Sequence, residues 1–242
     1  MMPAAVIIVA GGQGQRFGSE LPKQFLSLAG KPVLLHSLER FDALERVVEI
    51  VLVLPECWLN RWREQVDVSG LKKSLRAVAG GAKRQDSVWN GLMAVESDTP
   101  LIVVHDAVRP LTPTQQIETA LQCAERHGAA ILAAPCSDTL KQTDGEDSDP
   151  ESGGVITQTL DRSRIWRAQT PQAARRDWLL AALEHARNSG IAITDESQAL
   201  ELDGRRVRIV ESNADNLKIT TRHDLQYAEW LLRQSPINAG AD

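Results

Sequence analysis

"VIIVAGGQGQRFGSELPKQ" runs from Val6 to Gln24 and carries an apolar run into a glycine-rich turn and two cations, Arg16 and Lys23. The run Ala4–Ala10 is aliphatic throughout, the pattern of a strand buried on both faces in a parallel sheet. Glycines placed directly after such a strand let backbone N–H groups come close to a ligand, commonly a phosphate. Three phosphate loops compete for the stretch. A Walker loop needs Gly-Lys followed by Ser or Thr, whereas Gly30-Lys31 is followed by Pro32. A dinucleotide fingerprint opening at Gly12-x-Gly14 needs a third glycine where Phe17 stands, and Gly18 comes one place late. An open loop wrapping a nucleotide triphosphate has neither defect, and it alone gives Arg16 and Lys23 a task. The plainer alternative is a glycine turn with two surface cations.

Similar short apolar runs recur at Val47–Leu54, Leu75–Val78, Leu101–Val104, Ala129–Ala133 and Val207–Glu211. Helical spacing fills Pro32–Leu44, Ser87–Val95, Thr114–His127 and Asp177–Asn188 between them. Alternation of this kind predicts a largely parallel sheet with helices on both faces, whose ligands bind beyond the carboxyl ends of the strands. Gly11–Lys23, Gly80–Ser87 and His105–Pro110 would then share one rim. The stretch 137–165 breaks the rhythm with alternating residues around an acidic, Gly/Pro/Ser-rich centre. It reads as a long β-hairpin arm with a mobile tip near Asp144–Gly154, and an arm of that kind needs a partner surface, most simply a second copy of the chain. The expected fold is therefore α/β and Rossmann-like: one domain over residues 1–233, a projecting arm at 137–165, and a disordered tail at 234–242.

Composition sets the outer limits. At 242 residues the chain can bury a sizeable core without staples. A net charge of −5 with no Lys/Arg run disfavours wholesale nucleic-acid binding, although local cations can still hold a small anion. Cys57, Cys123 and Cys136 are widely spaced and odd in number, which fits a reducing cytoplasm, with buried packing as the plain role of each. The opening "MMPAAVIIVAGG" has no basic flank, and nothing later reaches membrane-spanning length. The five histidines lack metal spacing, and Asp147–Asp149 mimics a metal motif but falls in the hairpin tip. Most of the six tryptophans read as packing, with Trp166 a secondary candidate for lining the site.

"AGGQGQRFGSELPKQFL" resembles the GxGxR…PKQ signature of the cytidylyltransferases acting on sugar-alcohol phosphates, most closely the 2-C-methyl-D-erythritol 4-phosphate (MEP) cytidylyltransferase family of the non-mevalonate isoprenoid pathway. The stretches "GGAKRQDSVWNGL", "VVHDAVRP", "DTLKQT", "TLDRSRIWRAQTPQ", "ITDESQALE" and "NLKIT" follow in the family's order. Where the family commonly has Ala-Ala-Gly, this chain has Ala10-Gly11-Gly12, and its hairpin tip is long and acidic. The resemblance implies transfer of CMP from CTP to MEP with release of pyrophosphate. The attacking phosphate is already anionic, so catalysis rests on positioning and charge neutralisation. Ribitol-5-phosphate cytidylyltransferase, whose motifs overlap, and a non-catalytic nucleotide-binding regulator are the alternatives.

Site roles follow from the matched motifs. Arg16 and Lys23 resemble the pair that stabilises charge on the α-phosphate and the leaving pyrophosphate. The loop Ala10, Gly11, Gly12 and Gly14 would wrap the triphosphate. Gly80, Gly81, Ala82 and Ser87 would read the cytosine edge, although Ser87 could equally be a plain helix N-cap, a job open to Asp86 as well. Arg84 fits either a phosphate contact or a loop anchor. Asp106, at the end of a buried strand, is the first choice for a Mg²⁺ or ribose ligand, and Asp215 the second for the metal. Arg109 is assigned to substrate phosphate or to bracing the arm. Thr139, Arg162, Thr194 and Lys218 match MEP-binding positions, with Arg162 and Lys218 on the phosphate and arm residues entering the neighbouring subunit's site. The implied assembly is a cytoplasmic homodimer that needs no nucleic acid and no membrane.

Overall fold

The computed structural model describes residues 1–11, 21–145 and 154–234. Gly12, Gly14, Arg16, most of the acidic tip with Asp147–Asp149, and the tail after Gln234 lie outside the described residues. The chain runs through β1 (Ala4–Val9), a small ribbon of β2 (Ser27–Leu28) and β3 (Lys31–Pro32), α1 (Val33–Asp42), β4 (Val47–Leu54) and β5 (Ser74–Ala79). Next come α2 (Arg84–Met93), β6 (Leu101–Asp106), α3 (Thr114–His127), β7 (Ala129–Pro135), β8 (Lys141–Thr143) and β9 (Ile156–Thr159). Then follow β10 (Trp166–Arg175), α4 (Arg176–Asn188), α5 (Glu196–Leu202), β11 (Arg208–Glu211) and α6 (Arg222–Gln234).

Seven strands form the central sheet in the order β11-β7-β10-β6-β1-β4-β5. Strands β1, β4, β5 and β6 pair in parallel, as do β7 and β11, while β10 runs antiparallel to β6 and β7. Each apolar run expected to be a strand is one, and the sheet is Rossmann-like. The seventh strand, β10, corrects the sequence reading, which treated its residues only as a motif. Pro171 disguises it, because proline cannot donate to a ladder and argues against a central strand. The sheet accommodates the proline with a register shift between Ala168 and Gln172, and the Thr170-Pro171 peptide is cis. Because β10 runs against its neighbours, its first residues reach the rim where the parallel strands end: Trp166 lies opposite Pro135.

Alternation along β1 divides the core. Ala4, Val6 and Ile8 pack with Leu34, Leu38 and Phe41 of α1 and with Ile117, Leu121 and Ala124 of α3. Ala5 and Ile7 face the other way, toward Val88 and Leu92 of α2, Leu179 and Leu183 of α4, and Leu200 of α5. Burial of each such Leu or Ile contributes roughly 1.5–3 kcal/mol, so both faces of the strand are committed. Gly91 lets α2 come close to the sheet, since a Cβ there would meet Ile7 Cγ2 at 2.5 Å and Val53 Cγ2 at 2.9 Å. Gly128 ends α3 at φ +94°, the left-handed conformation that glycine adopts without penalty.

From β1 the chain moves out to β4 and β5 and then crosses back to β6 on the other side of β1. That reversal opens a crevice beyond the carboxyl ends of β1 and β6, where open α/β sheets bind ligands. The hairpin is present as a separate two-stranded ribbon, β8–β9, shorter than the excursion that carries it. Every residue of both strands is exposed. No described helix is long and apolar enough to cross a membrane.

Candidate active site

Two clasps secure the described ends of the first loop. Ala10 donates its N–H to Val53 O at 2.8 Å, and Gln24 Nε2 donates to Ala10 O at 2.7 Å. Gln24 is buried within the short 3-10 turn Lys23–Phe25, and Phe25 packs on Trp58 with ring centroids 4.6 Å apart. Lys23 is thereby fixed next to the end of β1 by its own neighbour in sequence.

At the end of β5, Gly80 N–H bonds Leu54 O at 2.7 Å and Gly81 N–H bonds Ser87 Oγ at 3.1 Å. A Cβ on Gly80 would sit 2.8 Å from Ser87 Oγ, and one on Gly81 would collide with Asp86, so this turn has no room for side chains there. Ser87 is not the helix N-cap: Lys83 occupies that position, and the Asp86 carboxylate accepts its N–H at 3.2 Å. The Ser87 hydroxyl is buried and holds the glycine turn, lying 3.2 Å from Lys83 O. Ala82 is exposed in the same loop.

Arg84 is a loop anchor. Its Nη1 and Nη2 donate to the two Glu196 carboxylate oxygens at 2.6 and 3.1 Å, and Nε and Nη2 reach Asp106 Oδ1 at 3.4 Å. Burial alone would lower the pKa of this guanidinium, but the Glu196 charge and then Asp106 outweigh it and raise it.

Asp106 is the electrostatic centre. Lys218 Nζ lies 2.7 Å from Oδ2, and Arg109 Nε is 3.8 Å from the same atom. Burial pushes the Asp106 carboxyl up, yet Arg84, Lys218 and Arg109 together hold it well below the usual carboxylate range. Arg109 is nearly buried and donates Nη1 to Asn216 O at 2.6 Å, so it braces the Asn216–Lys218 segment. Desolvation lowers its pKa.

Beneath the carboxylate runs a buried polar relay. Asp106 N–H donates to Thr170 Oγ1 at 3.0 Å, which lies 3.1 Å from His105 Nδ1, and His105 Nε2 is 3.2 Å from Arg109 O. Burial pushes His105 down to about 4, so it is neutral near pH 7. One proton arrangement then satisfies the chain: Thr170 donates to Nδ1, and Nε2–H donates to the Arg109 carbonyl. Asn216, wholly buried, accepts from Thr112 Oγ1 at 2.8 Å and donates to Gln169 Oε1 and Thr170 O at 3.0 and 3.1 Å. These bonds explain how Lys218, two residues on, comes to face Asp106.

The remaining candidates sit further out. Thr194 is exposed just ahead of α5, its N–H and hydroxyl both bonded to Gln198 Oε1 at 2.7 and 3.1 Å. Thr139 and Arg162 flank the base of the ribbon rather than its paired legs; both are exposed, and Arg162 Nη1 donates to Ser137 O at 2.7 Å. Asp215 is exposed and 3.4 Å from the Tyr227 hydroxyl. Among the described residues, no group of three His, Cys, Asp or Glu is placed to hold a metal ion. One packing expectation is corrected: Cys57 is exposed in a 3-10 turn beyond β4. Trp230 is an exposed tryptophan and stacks on Tyr227. Glu196, Thr170 and Asn216 carry the site without having been singled out in the sequence. Their only signal was position inside the stretches "ITDESQALE", "TPQ" and "NLKIT".

Cations converging on a single carboxylate at the switch point of a Rossmann-like sheet, next to a glycine-bearing strand end, suit the phosphates of a nucleotide, and the family match makes the chain a nucleotidyltransferase. The comparisons with known proteins narrow this. The model of the 2-C-methyl-D-erythritol 4-phosphate cytidylyltransferase family matches residues 4–234, and the chain belongs to that family. The enzyme of that name from Pelotomaculum thermopropionicum is 42% identical over 234 residues, covering 96% of this chain and 95% of that one. The chloroplastic enzyme of Oryza sativa is 35% identical, covering 95% of this chain and 74% of its own length. Among solved structures, the MEP cytidylyltransferase of Thermus thermophilus superposes with a TM-score of 0.75 at 31% identity, covering 96% of this chain and all (100%) of that one. The 4-diphosphocytidyl-2C-methyl-D-erythritol synthase of Anaerococcus prevotii gives 0.82 at 25% identity, covering 96% and 97%.

Proposed function

We propose that this chain transfers CMP from CTP to 2-C-methyl-D-erythritol 4-phosphate, giving 4-diphosphocytidyl-2-C-methyl-D-erythritol and pyrophosphate. An oxygen of the MEP phosphate bonds to the α-phosphorus of CTP, and the bond from that phosphorus to the oxygen bridging the β-phosphate breaks. The electron pair leaves with pyrophosphate, so no proton has to move at the reacting centre. What the reaction needs is fixed positive charge along the triphosphate and on the incoming phosphate. Lys23 and Arg16 are assigned to the CTP side, and Lys218 with Arg162 to the MEP phosphate. Lys and Arg suit different oxygens, one as a point charge and the other as a planar fork.

The observation that carries this reading is the Lys218–Asp106 pair at 2.7 Å, backed by Arg84 and Arg109 at the end of β6. Three cations meet two carboxylates there, Asp106 and Glu196, which leaves an excess of positive charge suited to a polyanion. The donor set also fits Mg²⁺, which takes few carboxylates and otherwise prefers phosphate oxygens and water. Asp106, kept ionised, would hold the ion, with Asp215 as the second candidate. When bound, the metal supplies further charge neutralisation on the triphosphate. Gly81, Ala82 and Ser87 belong to the cytosine side, and Arg109, Thr139 and Thr194 to the MEP side.

The working unit in this reading is a homodimer. Support comes from the β8–β9 ribbon, where Val155 and Ile156 are 65% and 59% exposed on a hairpin too small to be stable by itself. The free thiols of Cys57, Cys123 and Cys136 are in keeping with the cytoplasm. Pyrophosphate release from CTP, measured with MEP or ribitol 5-phosphate and with or without Mg²⁺, tests the whole reading. Turnover with MEP and magnesium is expected. A preference for ribitol 5-phosphate would move the substrate assignment, and absence of pyrophosphate with either alcohol would leave only a nucleotide-binding regulator.

A further inference from the structure

Two side chains in the first turn of α2 reach across to the same short segment of distant sequence. Arg84 grips Glu196 through both carboxylate oxygens at 2.6 and 3.1 Å, and Gln85 Oε1 accepts the N–H of Ile193 at 3.0 Å. Between those two attachment points lies Thr194. The segment is fastened from the far side as well, since Gln172 of β10 donates to Asp195 Oδ2 at 3.0 Å and accepts the Ser197 N–H at 2.8 Å. Glu196 is 2% exposed, and burying a carboxylate is costly unless it is paired and hydrogen-bonded, as it is here with Arg84. The loop immediately before α2 is the glycine turn Gly80–Lys83.

From this we infer that Glu196 and Gln85 are positioning residues for the second substrate, holding Thr194 at a fixed distance from the nucleotide loop. The inference rests on the proposed MEP role of Thr194. Glu196 acts through Arg84, and Gln85 acts through a single backbone bond. Neither touches the reacting atoms. Releasing either tether loosens the Thr194 segment on its α2 side, leaving Gln172 to hold it from the far side, while the glycine turn, held by Ser87 and Leu54, stays in place. The cost should therefore fall on one substrate and not on both.

Steady-state kinetics of Gln85→Ala, Gln85→Glu and Glu196→Gln, with CTP affinity measured separately by calorimetry, tests this. For Gln85→Ala, KM for MEP should rise about tenfold, the scale of coupling carried through one positioning contact, while CTP affinity changes less than about twofold and the melting temperature holds. Gln85→Glu keeps an acceptor for the Ile193 N–H and should restore KM. Glu196→Gln should show the same split. If that variant folds poorly, the Gln85 pair decides alone. An unchanged KM for MEP in Gln85→Ala overturns the inference, as does an equal loss toward CTP and MEP or a failure of Gln85→Glu to rescue. Wild-type protein without MEP turnover would sink the functional reading instead, so the two failures are distinguishable.

Discussion

The rim around Asp106 and the β8–β9 ribbon are built on opposite principles. At the rim each functional side chain is held by several others: Asp106 meets Lys218, Arg84 and Arg109, and its own backbone is tied to Thr170. In the ribbon, the residues of β8 and β9 are exposed, and the strands are joined by the ladder between them and by the Lys141–Thr159 and Thr157–Gln142 side-chain bonds. The rim is preorganised by its own fold, whereas the exposed ribbon would, in the proposed dimer, draw its support from the second chain. Electrostatic catalysis demands the first arrangement, because dipoles and charges that must reorganise during the reaction stabilise the transition state poorly.

Several measurements would sharpen or break that contrast. The largest effect belongs to the rim: Lys218→Ala or Lys23→Ala should lower kcat about 10²–10³-fold with a small change in KM, the usual loss for one group stabilising developing charge. Near-wild-type turnover would remove those residues from the mechanism. Next comes the ribbon. Ile156→Asp should shift sedimentation from dimer to monomer, and mixing Arg162→Ala with Lys218→Ala should recover some activity if each site draws on both chains. A monomeric wild-type protein would abolish the contrast altogether.

A third effect reports on the rim in stability rather than rate. His105 is held near about 4 in the folded chain, against 6.5 for an ordinary histidine. As pH falls through 6.5 the unfolded chain takes up the proton first, so His105 leaves stability whole above that value and erodes it down to about 4. The loss over that window is on the order of 3 kcal/mol. Urea titrations of His105→Gln should show a flatter slope there, with the remainder coming partly from His36, whose pKa burial also lowers. At the bottom of the scale, Asp215→Ala should leave the melting temperature nearly unchanged, as expected for an exposed side chain, and should lower kcat far less than Asp106→Ala; the reverse order would make Asp215 the leading metal candidate.

The same contrast separates what could be read in the sequence from what could not. Aliphatic runs such as Val47–Leu54 announce their strands because burial on both faces leaves no polar residue in the run to confuse the period. Strand β10 stayed hidden, since Pro171 and a register shift sit in its middle. Strand spacing placed Arg84 and Asp106 at one rim and the family resemblance added Lys218 to the site, but nothing in periodicity tells that Asn216 is buried or that Glu196 partners Arg84. Those are facts about contacts across a hundred residues, and a local pattern carries no record of them. Ser87 shows the converse: a helix-start residue by composition, it is a turn clamp by geometry.

The antiparallel course of β10 has one more consequence. Leaving β7 at the rim and re-entering β10 at the rim, the intervening chain never has to cross the sheet, and its base is already closed where Leu160 N–H meets Leu140 O at 3.0 Å. A change of length beyond that closure leaves the pairing of β7 with β10 as it is. The tip can therefore vary in sequence and size at little expense to the core, provided Thr139 and Arg162 at the base are kept.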